Sequence, residues 1–186
     1  MHEPYRSPAK LEALLKDAIR VFNDKDAPQL LAPNDRGAAI HERTIVHRLA
    51  YHLERRIRED GAPEIVTVDC EYNRFGRGRK FLHEMEGFCE AIAAAERTLT
   101  LRGELSILPD IIVHERGEDG PNYLVVEVKK DSNATDVAVR LDQVKLERLT
   151  TPGAGFDYAL GVELRARDGA GASRQLEILG TWTARR

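Results

Sequence analysis

"NYLVVEVKK", residues 122–130, is a run of aliphatic and aromatic residues that ends in a glutamate and two lysines. In an extended chain Leu124, Val126 and Val128 point one way, and Val125, Glu127 and Lys129 point the other. Both sets begin apolar, so the stretch reads as a strand buried on both faces. Glu127 and Lys129 then share one face of that strand. Charge beside an apolar core costs free energy unless it is paired or holds a ligand, so the pattern needs a chemical cause. Lys130, on the opposite side, is expected in solvent.

Working outward from this strand, SNATDVAVRLDQVKLERLT after Lys130 carries a helix. Ser132 or Asn133 is its N-cap candidate, Val137, Leu141 and Val144 are its apolar positions, and Pro152 and Gly153 stop it. GFDYALGVELRAR and RQLEILGTW follow as two strands around the turn RDGAGAS. A helix of this length suits a crossover between parallel strands. Upstream, EIVTVDCEY (64–72) and SILPDIIVHER (106–116) read as strands, NRFGRGRK as a Gly-broken basic turn, and 84–97 as a helix. Nearer the amino terminus, Leu11, Leu14, Leu15, Ala18 and Phe22 recur at helical spacing. The stretch DKDAPQLLAPNDRG is then a loop, and a longer helix runs from about Gly37 to Glu59.

The fold class that emerges is α/β, with a mixed central β-sheet flanked by helices. One domain spans 1–186: an N-terminal helix and linker over 1–36, a core over 37–165 and a C-terminal strand over 166–186. With 186 residues, 42% of them hydrophobic and 32% charged, the chain is sized and composed for one soluble domain. No apolar run is long enough to cross a bilayer, and the first residues carry no apolar signal segment. No membrane partner and a cytoplasmic setting are therefore expected. Cys70 and Cys89 fit neither a disulfide framework nor paired zinc-ligand spacing and read as small buried hydrophobes. A net charge of −3 excludes coating of nucleic acid by global charge, while leaving room for a local basic surface.

Three features converge on Glu127 and Lys129. Sixteen residues lie between Asp110 and Glu127, enough for a strand, a turn and an antiparallel return that sets the two acids side by side. Within HERTIVHRLAYHLERRI, Glu42 heads the apolar stripe formed by Ile45, Val46, Leu49 and Leu53. Asp110, Glu127 and Glu42 would supply the hard oxygen ligands that Mg²⁺ prefers. Such an ion can polarise a phosphodiester and lower the pKa of a bound water. Lys129 can orient that water, or help deprotonate it if its own pKa falls, and can offset charge in the transition state.

Pro109-Asp110, then Glu127-Val128-Lys129, preceded by a helical Glu42, resembles the PD-(D/E)XK nuclease superfamily over roughly residues 37–165. The resemblance implies a restriction-endonuclease-like αβββαβ core with an extra N-terminal helix. It also implies Mg²⁺, with Mn²⁺ as a substitute, held by Asp110, Glu127 and Glu42, and Lys129 beside the nucleophilic water. Many relatives carry a glutamine on the following helix, and Gln143 is in position to match it. Nucleic acid, DNA rather than RNA, is the implied substrate, and a homodimer fits the cutting of two strands.

Arg74, Arg77, Arg79 and Lys80, interleaved with two glycines and two phenylalanines, suit contact with phosphate and bases. A solvated hairpin tip explains them equally well. Asp69 and Glu71 either extend the acidic site or belong to a half-solvated strand. His47 and His52 are expected on the surface, His114 is a candidate phosphate contact, and Trp182 is a core or edge anchor. His41-Glu42 does not begin a zinc motif, because the next histidine comes six residues later, not four. Two rivals to the enzyme remain: a non-catalytic nucleic-acid or nucleotide binding module with the same fold, and a structural protein with an incidental acidic cleft.

Overall fold

The computed structural model describes residues 3–32, 40–72, 108–116, 120–168 and 173–184. It also describes the backbone of four two-residue strands, β2 Arg74–Phe75, β3 Gly78–Arg79, β4 Phe81–Leu82 and β5 Leu105–Ser106. The helix expected over 84–97, Cys89, Arg77, Lys80 and the side chains of Arg74 and Arg79 lie outside the described residues. The backbones of β2 and β3 pair antiparallel, with Arg74 opposite Arg79.

The main sheet has five strands: β1 Val66–Cys70, β6 Ile111–Glu115, β7 Asn122–Lys130, β8 Leu160–Ala166 and β9 Leu176–Thr183, in the order β1-β6-β7-β8-β9. β1, β6 and β7 form an antiparallel meander, β7 and β8 run parallel, and β9 returns antiparallel at the edge. A parallel neighbour needs a crossover, and helix α4 (Asp136–Thr150) supplies it. The protein is thus α/β, with a mixed sheet flanked by helices. Its central strand is the stretch at 122–130, in which Tyr123 through Val128 are all buried.

Two helices cover one face. α1 (Pro8–Lys25) starts with Ser7 accepting a hydrogen bond from Lys10 N and buries all five apolar positions seen in the sequence. α3 (Glu42–Glu59) buries Ile45, Val46, Leu49, Leu53 and Ile57. They pack on Leu124, Val126 and Val128 and on the register partners Leu160, Val162 and Leu164. Each fully buried aliphatic side chain stabilises by about 1.5–3 kcal/mol, so this layer dominates the favourable terms. α4 covers the other face, placing Leu141, Leu146 and Leu149 on Ile112, Val125, Phe156 and Tyr158. Gly161 lets α4 come close: a Cβ there would meet Thr150 Cγ2 at 3.1 Å and Leu146 Cδ2 at 3.4 Å.

Several local expectations change. α3 begins at Glu42, not near Gly37, with Ile40 and His41 outside the helix. The loop after α1 contains one helical turn, α2 (Ala27–Leu30). α4 is capped by Thr135, whose side chain accepts from Ala138 N at 3.2 Å; the candidates Ser132 and Asn133 lie in a 3₁₀ turn before it. Val137 is exposed, because the buried stripe of α4 runs through Leu141, Leu146 and Leu149. His52 is buried, since Asp26 offers its Nε2 a partner at 2.5 Å. Cys70 is exposed, lying at the end of edge strand β1. Trp182 is half-buried on edge strand β9 against the α4 cluster.

Candidate active site on the α4 face of the sheet

Pro109 and Asp110 stand just ahead of β6, and Ile111 pairs with Val126 of β7. Asp110, the residue before Ile111, stands at the end of that register, next to Val128 of β7. Asp110 Oδ2 accepts the Val128 backbone N–H at 2.7 Å, which fixes the carboxylate at the end of the central strand. Asp110 keeps some contact with solvent at the surface yet is packed round by protein. Burial pushes its pKa up to about 7, against the pull of the Val128 bond, with Asp142 and Glu42 adding to the rise and Lys129 opposing it.

Glu127 is 3% exposed, and its Oε1 has no hydrogen-bond partner. Burial raises its pKa well above the ordinary carboxylate range. The Lys145 and Lys129 charges oppose that rise, while Asp110 and Asp142 reinforce it. Lys129 Nζ lies 3.1 Å from Asp142 Oδ2 and 3.8 Å from Glu42 Oε1. Burial alone would lower the lysine pKa, but Asp142 and Glu42 outweigh it and the net shift is upward. Lys129 is therefore an ammonium in this arrangement, not a free-base amine.

Glu42 reaches the site from the opposite layer, as the first residue of α3. Its Oε2 accepts the Lys130 backbone N–H at 3.0 Å. Lys130, expected in solvent, is 4% exposed: its Nζ donates to Ile40 O at 2.8 Å and lies 3.4 Å from Asp168 Oδ2. A buried ammonium needs such partners, and the segment before α3 provides them. Gln143 lies on the expected helix and donates to Glu163 Oε2 at 3.1 Å.

The structure adds four groups that the sequence reading missed. Asp142 and Lys145 project from one face of α4, with Lys145 Nζ donating to Asp142 Oδ1 at 3.1 Å. Glu163 and Arg165 of β8 pair in register with Glu127 and Lys129 of β7, on the same sheet face. A signal for each was present. Asp142 falls three, four and seven residues before Lys145, Leu146 and Leu149, and the Glu-x-Lys of β7 is echoed by the Glu-x-Arg of β8.

The five carboxylates of Glu42, Asp110, Glu127, Asp142 and Glu163 thus face the three cations of Lys129, Lys145 and Arg165. If all are ionised, the surplus of negative charge is that of one divalent cation. Hard oxygen donors and a buried carboxylate oxygen lacking a donor suit such an ion. Among the described residues, no three carboxylate, histidine or cysteine side chains stand as a ready-made ligand set. Lys129 occupies the space between Glu42 and Asp142.

The neighbouring polar groups are engaged elsewhere. Asp69 accepts from His114 Nε2 at 2.8 Å and from Arg116, so neither Asp69 nor His114 extends the acidic site or offers a free phosphate contact. Glu71 pairs with Arg43 at 2.6 Å. No helix among the described residues is long and apolar enough to cross a membrane. In comparisons with protein-family models, curated proteins and solved structures, nothing matches this chain.

Proposed function

We propose that this protein is a metal-dependent nuclease of the PD-(D/E)XK type, hydrolysing phosphodiester bonds in DNA with Mg²⁺, or Mn²⁺ in its place. The observation that carries the reading is the Glu127 carboxylate, buried with one oxygen lacking a donor, between Asp110 and Lys129. With the short pairs β2–β3 and β4–β5 left aside, the order α3, β1, β6, β7, α4, β8, with β7 and β8 parallel, is consistent with the αβββαβ arrangement the resemblance implies.

Asp110 and Glu127 would hold the ion, and Glu42 lies within electrostatic reach of Asp110. The ion, when bound, supplies a lowered water pKa and a polarised phosphoryl oxygen. Lys129, whose pKa Asp142 and Glu42 raise in the metal-free arrangement, would orient the attacking water and offset the charge that builds on the phosphoryl oxygens. Its position beside Asp142 fixes the direction of that charge. The basic stretch from Arg74 to Lys80 holds the nucleic-acid backbone, and a homodimer would bring two such sites to two strands.

One observation favours the binding-module reading: Lys129 Nζ sits 3.1 Å from Asp142 Oδ2 and 3.8 Å from Glu42 Oε1, an ammonium in place of a metal ion between the two acids. Incubation with plasmid and single-stranded DNA in Mg²⁺ or Mn²⁺, alongside Asp110→Ala and Lys129→Ala, separates the two. The nuclease reading expects cleavage that both variants lose. Binding without cleavage in either metal would replace it with the module.

A further inference from the structure

Building on the metal-dependent reading above, we propose that Asp142 of α4, not Glu42 of α3, is the third carboxylate that holds the divalent cation, and that Glu42 is a positioning residue. The two acids differ in what their oxygens already do. Glu42 is 24% exposed at its side chain, and its Oε2 is taken by the Lys130 amide. That bond ties the start of α3 to the end of β7. The Lys130 ammonium grips the Ile40 carbonyl two residues before Glu42, so one residue fixes both the acid and the chain leading to it.

Asp142 is 4% exposed, and only its Oδ1 is hydrogen-bonded, by Lys145. Its Oδ2 is buried without a donor in hydrogen-bond geometry, although Lys129 Nζ stands 3.1 Å away. Glu127 Oε1 is the other buried carboxylate oxygen with this defect. Glu127 Oε1 has no partner, while Asp142 Oδ2 is held by the Lys129 charge alone, so a divalent cation on this sheet face would satisfy the first oxygen and take the place of the ammonium at the second. Asp142 acts on both Asp110 and Glu127, and on Asp110 more strongly than Glu42 does.

The mounting of the two acids differs as well. Asp142 lies inside a helix pressed onto β8 at Gly161, a rigid support for a ligand oxygen. Glu42 lies in the first turn of a helix whose N-cap, His41, makes no side-chain capping bond. Lys145 holds Asp142 Oδ1 as an outer partner holds a ligating carboxylate, leaving Oδ2 to face the ion.

The test is Mn²⁺ binding by the whole chain without nucleic acid, followed by calorimetry and by the spectrum of the bound ion. Asp142→Asn is expected to weaken affinity by about tenfold or more, and Glu42→Gln, whose amide oxygen still accepts from the Lys130 N–H, by clearly less. Asp142→Glu, which restores a carboxylate, recovers most of the loss. In wild-type protein labelled at its Asp and Glu carboxyl carbons, traces of Mn²⁺ should broaden Asp110, Glu127 and Asp142 before Glu42. This second measurement needs no variant to fold. If Asp110→Asn abolishes binding while Asp142→Asn does not weaken it, or if Glu42 broadens before Asp142, this assignment is overturned and the metal site stands. A wild-type chain that takes up no Mn²⁺ overturns both.

Discussion

Asp110 and Val128 are joined by a 2.7 Å hydrogen bond from the strand amide to Oδ2, and this contact fixes the Asp110 carboxylate at the end of the central strand. The bond lowers the aspartate pKa, yet burial and the nearby acids raise it further, to about 7. A carboxyl with a raised folded-state pKa binds more protons folded than unfolded. Its penalty is absent below the ordinary carboxylate range, grows as pH rises towards 7, and is complete above it.

Asp110→Asn should therefore stabilise the metal-free protein at about pH 8 by on the order of 1–3 kcal/mol, with little gain near pH 4. The neutral amide oxygen can still accept from Val128. The same variant should lose the thermal stabilisation that Mn²⁺ confers on wild type, which amounts to about 2.7 kcal/mol at a hundredfold excess over Kd. Urea unfolding at both pH values, with and without metal, checks both parts.

Lys129→Met should reduce cleavage by about 100-fold or more while leaving Mn²⁺ bound, because the ammonium acts on the reacting phosphate and not on the ion. The lysine pKa is raised by Asp142 and Glu42, so its charge persists through neutral pH and is lost only as pH rises above the ordinary lysine range. An activity profile with a basic limb near neutrality that disappears in Lys129→Met would contradict this role.

At Asp69 the sign is opposite. Burial would raise its pKa, but hydrogen bonds from His114 and Arg116 outweigh burial and hold the carboxyl well below the usual range. The stabilisation is complete above the ordinary aspartate pKa and is lost as pH falls towards the folded value. Asp69→Asn should cost about 1–3 kcal/mol near pH 7, and the gap to wild type should close in strong acid. Chemical denaturation from pH 7 down to about pH 2 reads this directly.

Lys130→Met should destabilise the protein by about 2–3 kcal/mol, since the Ile40 carbonyl and Asp168 lose a buried partner. The loss should appear first in the opening turn of α3. Amide exchange at Thr44 and Ile45 should quicken while the centre of β7 stays protected. Uniform protection along α3 in the variant would show that the Lys130 ammonium does not anchor the segment leading into α3.

The layout of the sheet was legible because hydrophobic periodicity is local. Val125, Glu127 and Lys129 alternate in the sequence as they do on β7, and the spacing from Asp110 to Glu127 is enough for an antiparallel return. Burial of His52 and Lys130 was not legible. Each depends on a partner far along the chain: Asp26 for the histidine, Ile40 and Asp168 for the lysine. Propensity assigns a charged residue to solvent unless that partner is known.

By itself the sequence determined the α/β class, the strand at 122–130 with Glu127 and Lys129 on one face, and a following helix long enough for a crossover, because these rest on side-chain period and chain reach. Only the tertiary structure decided that Asp142 and Lys145 enter the same site, that Gln143 turns to Glu163, and that Lys129 keeps its proton. Those outcomes depend on how closely α4 seats on β8 and on electrostatic sums over groups distant in sequence, which no local pattern encodes.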